Sequence, residues 1–133
     1  MATIRKQFPV TATPEQAWDA VRDFTALHTR LVPGFVTACT PEEDGAVRSI
    51  TFANGMQVRE RRVSCDDSAR RLVYTTEGGR ASHYNAAVEV QPAEGGGSRL
   101  VWTVDLLPDA LAPAVDGMMA AGVQAMQGAL RAR

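Results

Sequence analysis

The sequence predicts an α+β domain: a seven-stranded antiparallel sheet curved around one long C-terminal helix, with two short helices after the first strand. Three observations predict it. From Phe35 to Leu107 the apolar residues recur with a period of two, in short runs separated by turn-forming residues. A long apolar stripe at helical spacing follows, over Asp109–Arg133. A capped helix start stands between the first strand and the first of those runs.

Thr3–Val10 sets Ile4, Phe8 and Val10 on one face, the pattern of a half-buried strand. Thr13-Pro14-Glu15-Gln16 then supplies a cap residue, a proline at the first helical position and a glutamine three residues after the cap. The helix carries Ala17, Trp18, Val21 and Phe24 at helical spacing. A second short helix is predicted over Ala26–Leu31, ended by Pro33-Gly34. The strands that follow are Phe35–Thr40, Ala46–Phe52, Gln57–Cys65, Arg71–Glu77, His83–Gln91 and Arg99–Leu107. Turn chemistry such as Asp44-Gly45, Asn54-Gly55 and Gly95-Gly96-Gly97 separates them. Parallel neighbours need a crossover of a dozen or more residues, so connections this short make an antiparallel meander. Gly78–Ser82 is its least defined turn, with no strong hairpin pair.

Asp109 is the predicted N-cap of a helix running to Arg133, and Pro113 falls in the first turn, where a missing N–H is tolerated. Leu111, Val115, Met119, Val123 and Met126 are predicted to face the sheet. Ala114, Met118, Ala121, Ala125 and Ala129 widen the stripe with mostly small side chains. Such a helix does not fill a wide concave sheet, so a cavity is expected between them. Arg131 and Arg133 suit the negative end of the helix dipole. No repeat or linker divides the chain, and residues 1–133 are expected to form a single domain.

Composition excludes several classes of function. Hydrophobic residues make up 45% and charged residues 22%, an ordinary globular balance. The net charge is −1, without the basic stripe that nucleic acid requires. No apolar run has the length of a signal peptide core or a membrane span, so a cytoplasmic protein without membrane insertion is expected. Cys39 and Cys65 lack CxxC spacing and are read as reduced and buried. Two histidines and two scattered cysteines give no metal-ligand spacing, and there is no phosphate loop, GxSxG elbow or dinucleotide fingerprint. No metal or other cofactor is expected.

Alternation over Gln57–Cys65 sets Val58, Glu60 and Arg62 on one face and Arg59, Arg61 and Val63 on the other. Glu60 is either a surface carboxylate among arginines or a pocket group, for which Arg62 is the nearest partner. Leu100, Trp102, Val104 and Leu106 share a face that is costly to leave in water. His83 has the opposite parity to Tyr84, which puts it outside or at the rim. His28 has no acid or nucleophile near it in sequence and is assigned to the surface.

The order of elements resembles the START-like, or Bet v 1-like, helix-grip superfamily, which includes polyketide cyclase/dehydrase-like proteins and the plant abscisic acid receptors. Thr13-Pro14-Glu15-Gln16-Ala17-Trp18 matches its P-x-x-x-W opening, and Gly45-Ala46-Val47-Arg48 matches a G-x-V-R strand start. Glu60-Arg61, Asp66-Asp67, Arg70-Arg71, Tyr74 and Gly78-Gly79 are spaced as in the receptors, with Tyr84 and Pro108 continuing the register. The receptors' gate loop is reduced to Asn54-Gly55-Met56, and their pocket lysine would fall at Pro33, so the hormone-receptor mechanism does not carry over.

The resemblance implies a ligand pocket in which Glu60 holds water or a ligand hydroxyl, with Tyr74 and Tyr84 turned inward. Each tyrosine is alternatively a structural phenol closing the core. The register counted back from Pro108 turns Val101, Thr103 and Asp105 inward, against the apolar alternation that turns Trp102 inward; without a bulge only one holds. Val58, Glu60, Arg62, Tyr74, Tyr84, Trp102, Val115, Met118, Met119, Val123 and Met126 are the expected lining. The expected function is binding a small hydrophobic or polyketide-like molecule, lipids included. The alternative is a cyclase, aromatase or dehydrase that uses Glu60 and Tyr84 for acid–base work. A weaker third reading has a sheet edge or helix end docking a protein partner, and a homodimer is compatible with all three.

Overall fold

In the computed structural model, which describes residues 1–132, β1 (Ala2–Val10) buries Phe8 and Val10 and leaves the alternate residues outside. α1 (Pro14–Arg22) begins with the predicted capping box: Thr13 Oγ1 accepts from Gln16 N, and Gln16 Oε1 accepts from Thr13 N, each at 3.2 Å. Two of the helix's unpaired N-terminal donors are thereby satisfied. The short helix expected over Ala26–Leu31 is instead a turn of 3-10 helix, Phe24–Ala26, followed by a π turn, Leu27–Leu31. Phe24 enters the core from the 3-10 turn, and Leu27 and Leu31 enter it from the wider π turn. It also draws His28 halfway in, against the surface placement expected for it.

The remaining strands are β2 (Val36–Glu42), β3 (Val47–Phe52), β4 (Gln57–Asp66), β5 (Arg71–Glu77), β6 (His83–Pro92) and β7 (Ser98–Leu107). They form one seven-stranded sheet in the order β1-β7-β6-β5-β4-β3-β2, antiparallel throughout. The meander returns the last strand to the side of the first, where Ala2 pairs with Leu106 and Val10 with Ser98. Leu100, Trp102, Val104 and Leu106 point into the core, so the apolar alternation holds and the register counted from Pro108 does not.

α2 (Ala112–Ala129) is entered through a 3-10 turn at Asp109–Leu111, and Asp109 does not cap it. The Asp109 carboxylate instead faces the Met1 amino group at 3.4 Å. The helix ends at Ala129 rather than running to the chain's end; Arg131 lies beyond it, and Arg133 falls outside the described residues. Met119, Gly122 and Met126 form its buried centre, whereas Leu111, Val115 and Val123 are half-buried on its flanks. α2 is tied to β1: Lys6 Nζ pairs with Asp116 at 2.7 Å, and Gln127 Nε2 donates to the Pro9 carbonyl at 3.1 Å. No helix among the described residues is long and apolar enough to cross a membrane.

The expected burial of the cysteines changes. Cys39 is half-buried, but Cys65 is exposed, on the outer end of β4 after a bulge between Arg62 and Ser64. The outward residues Arg59 and Arg61 join Glu42, Glu43 and Glu77 in a solvated charge network.

Candidate functional site

Between α2 and the concave faces of β3–β7 lies a cavity of about 270 Å³. Its walls are built from inward positions of the strands: Ile50 and Phe52 on β3, Val58 on β4, Leu72 on β5, Val88 on β6 and Trp102 on β7. Val115, Met118, Met119 and Met126 of α2 close it from the other side, with Leu27, Leu31 and Phe35 at one end. The opening is framed by Met56 and Gln57 after the β3–β4 turn, by Gly78–Ala81, and by Leu111 and Ala114. Gly78 and Gly79 both take positive φ, 76° and 82°, a conformation that favours glycine. The turn that the sequence defined least is therefore part of the mouth.

The polar end is set by strand register. Arg48 on β3 pairs across from Glu60 on β4, and Glu60 across from Thr76 on β5. Arg48 and Glu60 are only 3% and 6% exposed. Arg48 Nε donates to Glu60 Oε1 at 2.8 Å, and its Nη2 lies 2.7 Å from the same oxygen. Nη1 donates to the Phe24 carbonyl at 3.0 Å. The guanidinium carbon lies 3.9 Å from the Phe24 ring centroid and 4.9 Å from that of Tyr74. These contacts offset part of the large cost of taking two charges out of water. Glu60 Oε2 stays outside the pair.

Tyr74 is buried, and its hydroxyl accepts from Trp102 Nε1 at 3.2 Å. Burial pushes its phenol well above the usual range, and the Glu60 charge adds to the effect. Tyr84 is raised by the same two causes, burial first. Both phenols therefore keep their proton near neutrality, and each has that proton available to donate. Tyr84 enters the hydrogen-bond network through its carbonyl, which accepts from Thr75 Oγ1 at 2.7 Å; its hydroxyl is bonded to none of the described residues.

Of the residues singled out from sequence, Val58, Glu60, Tyr74, Tyr84, Trp102, Val115, Met118, Met119 and Met126 line the cavity. Arg62 does not. It shares Glu60's face, as alternation requires, but lies exposed with its guanidinium carbon 5.9 Å from the Phe24 centroid, while Arg48 takes the place assigned to it. Val123 also falls outside the lining, because Gly122 occupies the centre of that helix face. A Cβ at Gly122 would come 2.9 Å from Trp102 Cζ3, so the indole fills the space a side chain would use. His83 is exposed, as its parity indicated.

Arg48 was missed, although a signal existed. It alternates with Ile50 and Phe52, so a charge sits on an apolar face one strand away from Glu60. No cluster of His, Cys, Asp or Glu suited to a metal occurs among the described residues.

A family model described as polyketide cyclase / dehydrase and lipid transport matches residues 1–132. No match is found among curated proteins. Among solved structures, the chain is similar to a protein from Thermobifida fusca, with 29% identity over 100% of this chain and 98% of that one, TM-score 0.78. It is similar to truncated norcoclaurine synthase from Thalictrum flavum, with 18% identity over 95% and 91% of the two chains, TM-score 0.74. It is also similar to a START superfamily protein from Mycobacterium smegmatis, with 12% identity over 96% of each chain, TM-score 0.74. The last two likenesses concern the fold, the helix-grip arrangement of the superfamily that the sequence resembles.

Proposed function

The chain belongs to the family described as polyketide cyclase / dehydrase and lipid transport, and from that premise we propose that it binds a small hydrophobic or polyketide-like molecule between the sheet and α2. One observation carries the reading: an apolar cavity of about 270 Å³ reaches from an exposed mouth to a buried polar end. Ligand sites of this kind are mostly apolar, with a few convergent polar groups that fix orientation. The volume lies just under the usual range of roughly 300–1,000 Å³ and favours a compact molecule.

Titration with the neutral fluorophore 1-aminoanthracene tests the proposal. Saturable one-to-one binding that quenches the emission of Trp102 in the cavity wall is expected. Native mass spectrometry of the purified protein should show a carried-over small molecule. A protein that takes up neither has a collapsed core and no binding role.

A second reading rests on Glu60 and Tyr84 facing one cavity. A carboxylate with one oxygen outside its ion pair and a protonated phenol form the minimum for acid–base work on an enolizable carbonyl, as a cyclase or dehydrase requires. With a substrate in hand, Glu60→Gln should abolish turnover. Retained turnover removes Glu60 as the catalyst.

A further inference from the structure

Three glycines interrupt α2: Gly117, Gly122 and Gly128. Glycine is less favourable than alanine inside a helix, so its presence there calls for a steric reason. A Cβ at Gly117 or Gly128, both exposed, would meet nothing within 4 Å. Gly122 is buried, and a Cβ there would come 2.9 Å from Trp102 Cζ3, 3.0 Å from Trp102 Cη2 and 3.5 Å from Phe35 Cε2. Trp102 and Phe35 line the cavity and Gly122 does not, so the two rings stand between this glycine and the ligand space. The indole is closely held on its other sides. Leu100 and Val104 flank it along β7, Val88 is its neighbour on β6, and all three are buried. Its Nε1 donates to the Tyr74 hydroxyl. The unfilled space beside it is the cavity.

We propose, resting on the ligand-binding reading above, that Gly122 sets the size limit of the cavity. The bare helix backbone at this position seats the Trp102 ring, and a side chain there drives that ring into the space a ligand uses. Gly122 is a positioning residue: it touches no ligand and acts through the indole. Interiors packed to crystal density pass such a displacement on rather than absorb it. A large planar ligand then loses its place, whereas a single ring still fits in what remains. The displaced indole also parts from the Tyr74 hydroxyl, which gives the movement a spectroscopic mark.

The test compares Gly122→Ala with Gly117→Ala, which makes the same change where nothing stands in the way. Binding of three-ring 1-aminoanthracene is followed by its own emission, and binding of one-ring fluorobenzene by fluorine NMR. Gly122→Ala should weaken 1-aminoanthracene at least about tenfold and fluorobenzene less than about threefold, and Gly117→Ala should weaken neither. The Trp102 indole N–H resonance should shift in Gly122→Ala, while that of Trp18, bonded to Asp67, stays in place. Combining Gly122→Ala with Trp102→Phe, which shortens the ring, should restore 1-aminoanthracene binding to within about threefold of Trp102→Phe alone. If Gly122→Ala binds both ligands like the parent, or loses both equally, the size limit is overturned and the binding proposal stands. A double variant as weak as Gly122→Ala has the same consequence, because the effect then does not run through the indole. Should Gly122→Ala fail to fold, the double variant decides: folding with binding sustains the proposal, and its absence overturns it. A parent protein that takes up neither ligand overturns both readings.

Discussion

Replacing Glu60 by leucine, Arg48 by methionine, and then both together measures what the buried pair does for the fold. The two side chains are 8% and 4% exposed, so neither charge is screened by water. Removing one partner leaves the other charge buried and unpaired, which costs about 3–5 kcal/mol. A domain of this size loses about 3–5 °C in Tm per kcal/mol, so each single variant should melt roughly 10–20 °C below the parent. The double variant is a different matter. It removes both desolvation costs, and a methionine at 48 keeps packing against the Phe24 and Tyr74 rings that the guanidinium touches. Its stability should fall within about 1 kcal/mol of the parent or exceed it. Urea unfolding followed by circular dichroism, analysed as a double-mutant cycle, gives the coupling directly. Single variants that each lose less than about 1 kcal/mol would show the pair to be solvated. A double variant as unstable as the sum of the singles would show that the charges act independently. Either result refutes the picture of a costly pair sustained for recognition.

Three further outcomes follow from the same structure. Tyrosine absorbance followed upward in pH should show no ionisation at the ordinary phenol value near 10, because burial and the Glu60 charge raise both Tyr74 and Tyr84. Since the folded values lie above the unfolded one, this stabilisation is intact below about pH 10 and is lost as pH rises from there toward the folded values. A normal titration in the folded protein would contradict the buried placement. Thr13→Ala removes the cap of α1 and should lower stability by about 1 kcal/mol in thermal unfolding. A change below about 0.3 kcal/mol would mean the capping box is not formed. With a thiol reagent at pH 8, Cys65 should react fast and Cys39 slowly, because Cys65 is exposed while burial raises the Cys39 thiol. Equal rates would place the two in similar surroundings.

The strands, the capping box and the antiparallel order were legible because each rests on local chemistry: a period of two, a cap with its partner three residues on, and short turns. Glu60 was legible as a residue but not as a pair. Alternation within β4 offered Arg62, whereas the register between β3 and β4 supplies Arg48. Cross-strand neighbours are fixed by how two strands align, which no single strand's pattern contains. Val123 went astray for a related reason. A stripe of large apolar residues marks a helix face, but here the centre of that face is a glycine whose place is taken by Trp102 of another strand.

That glycine also bears on where the cavity lies. α2 is bound along β1 by Lys6–Asp116 and Gln127–Pro9, and Ala12 N donates to the Leu130 carbonyl at the helix's end. At Gly122 the helix comes down onto Trp102 of β7. On the β1–β7 side, then, helix and sheet are in close contact. The sheet continues to curve through β6, β5, β4 and β3, and the helix cannot lean toward those strands without leaving β1. The space that results is the one lined by Ile50, Phe52, Val58, Leu72 and the Arg48–Glu60 pair. Val115 and Met118 are half-buried because they border that space rather than a packed strand. That geometry opens the pocket over β3–β6, with the Arg48–Glu60 pair on the side away from the tethered edge.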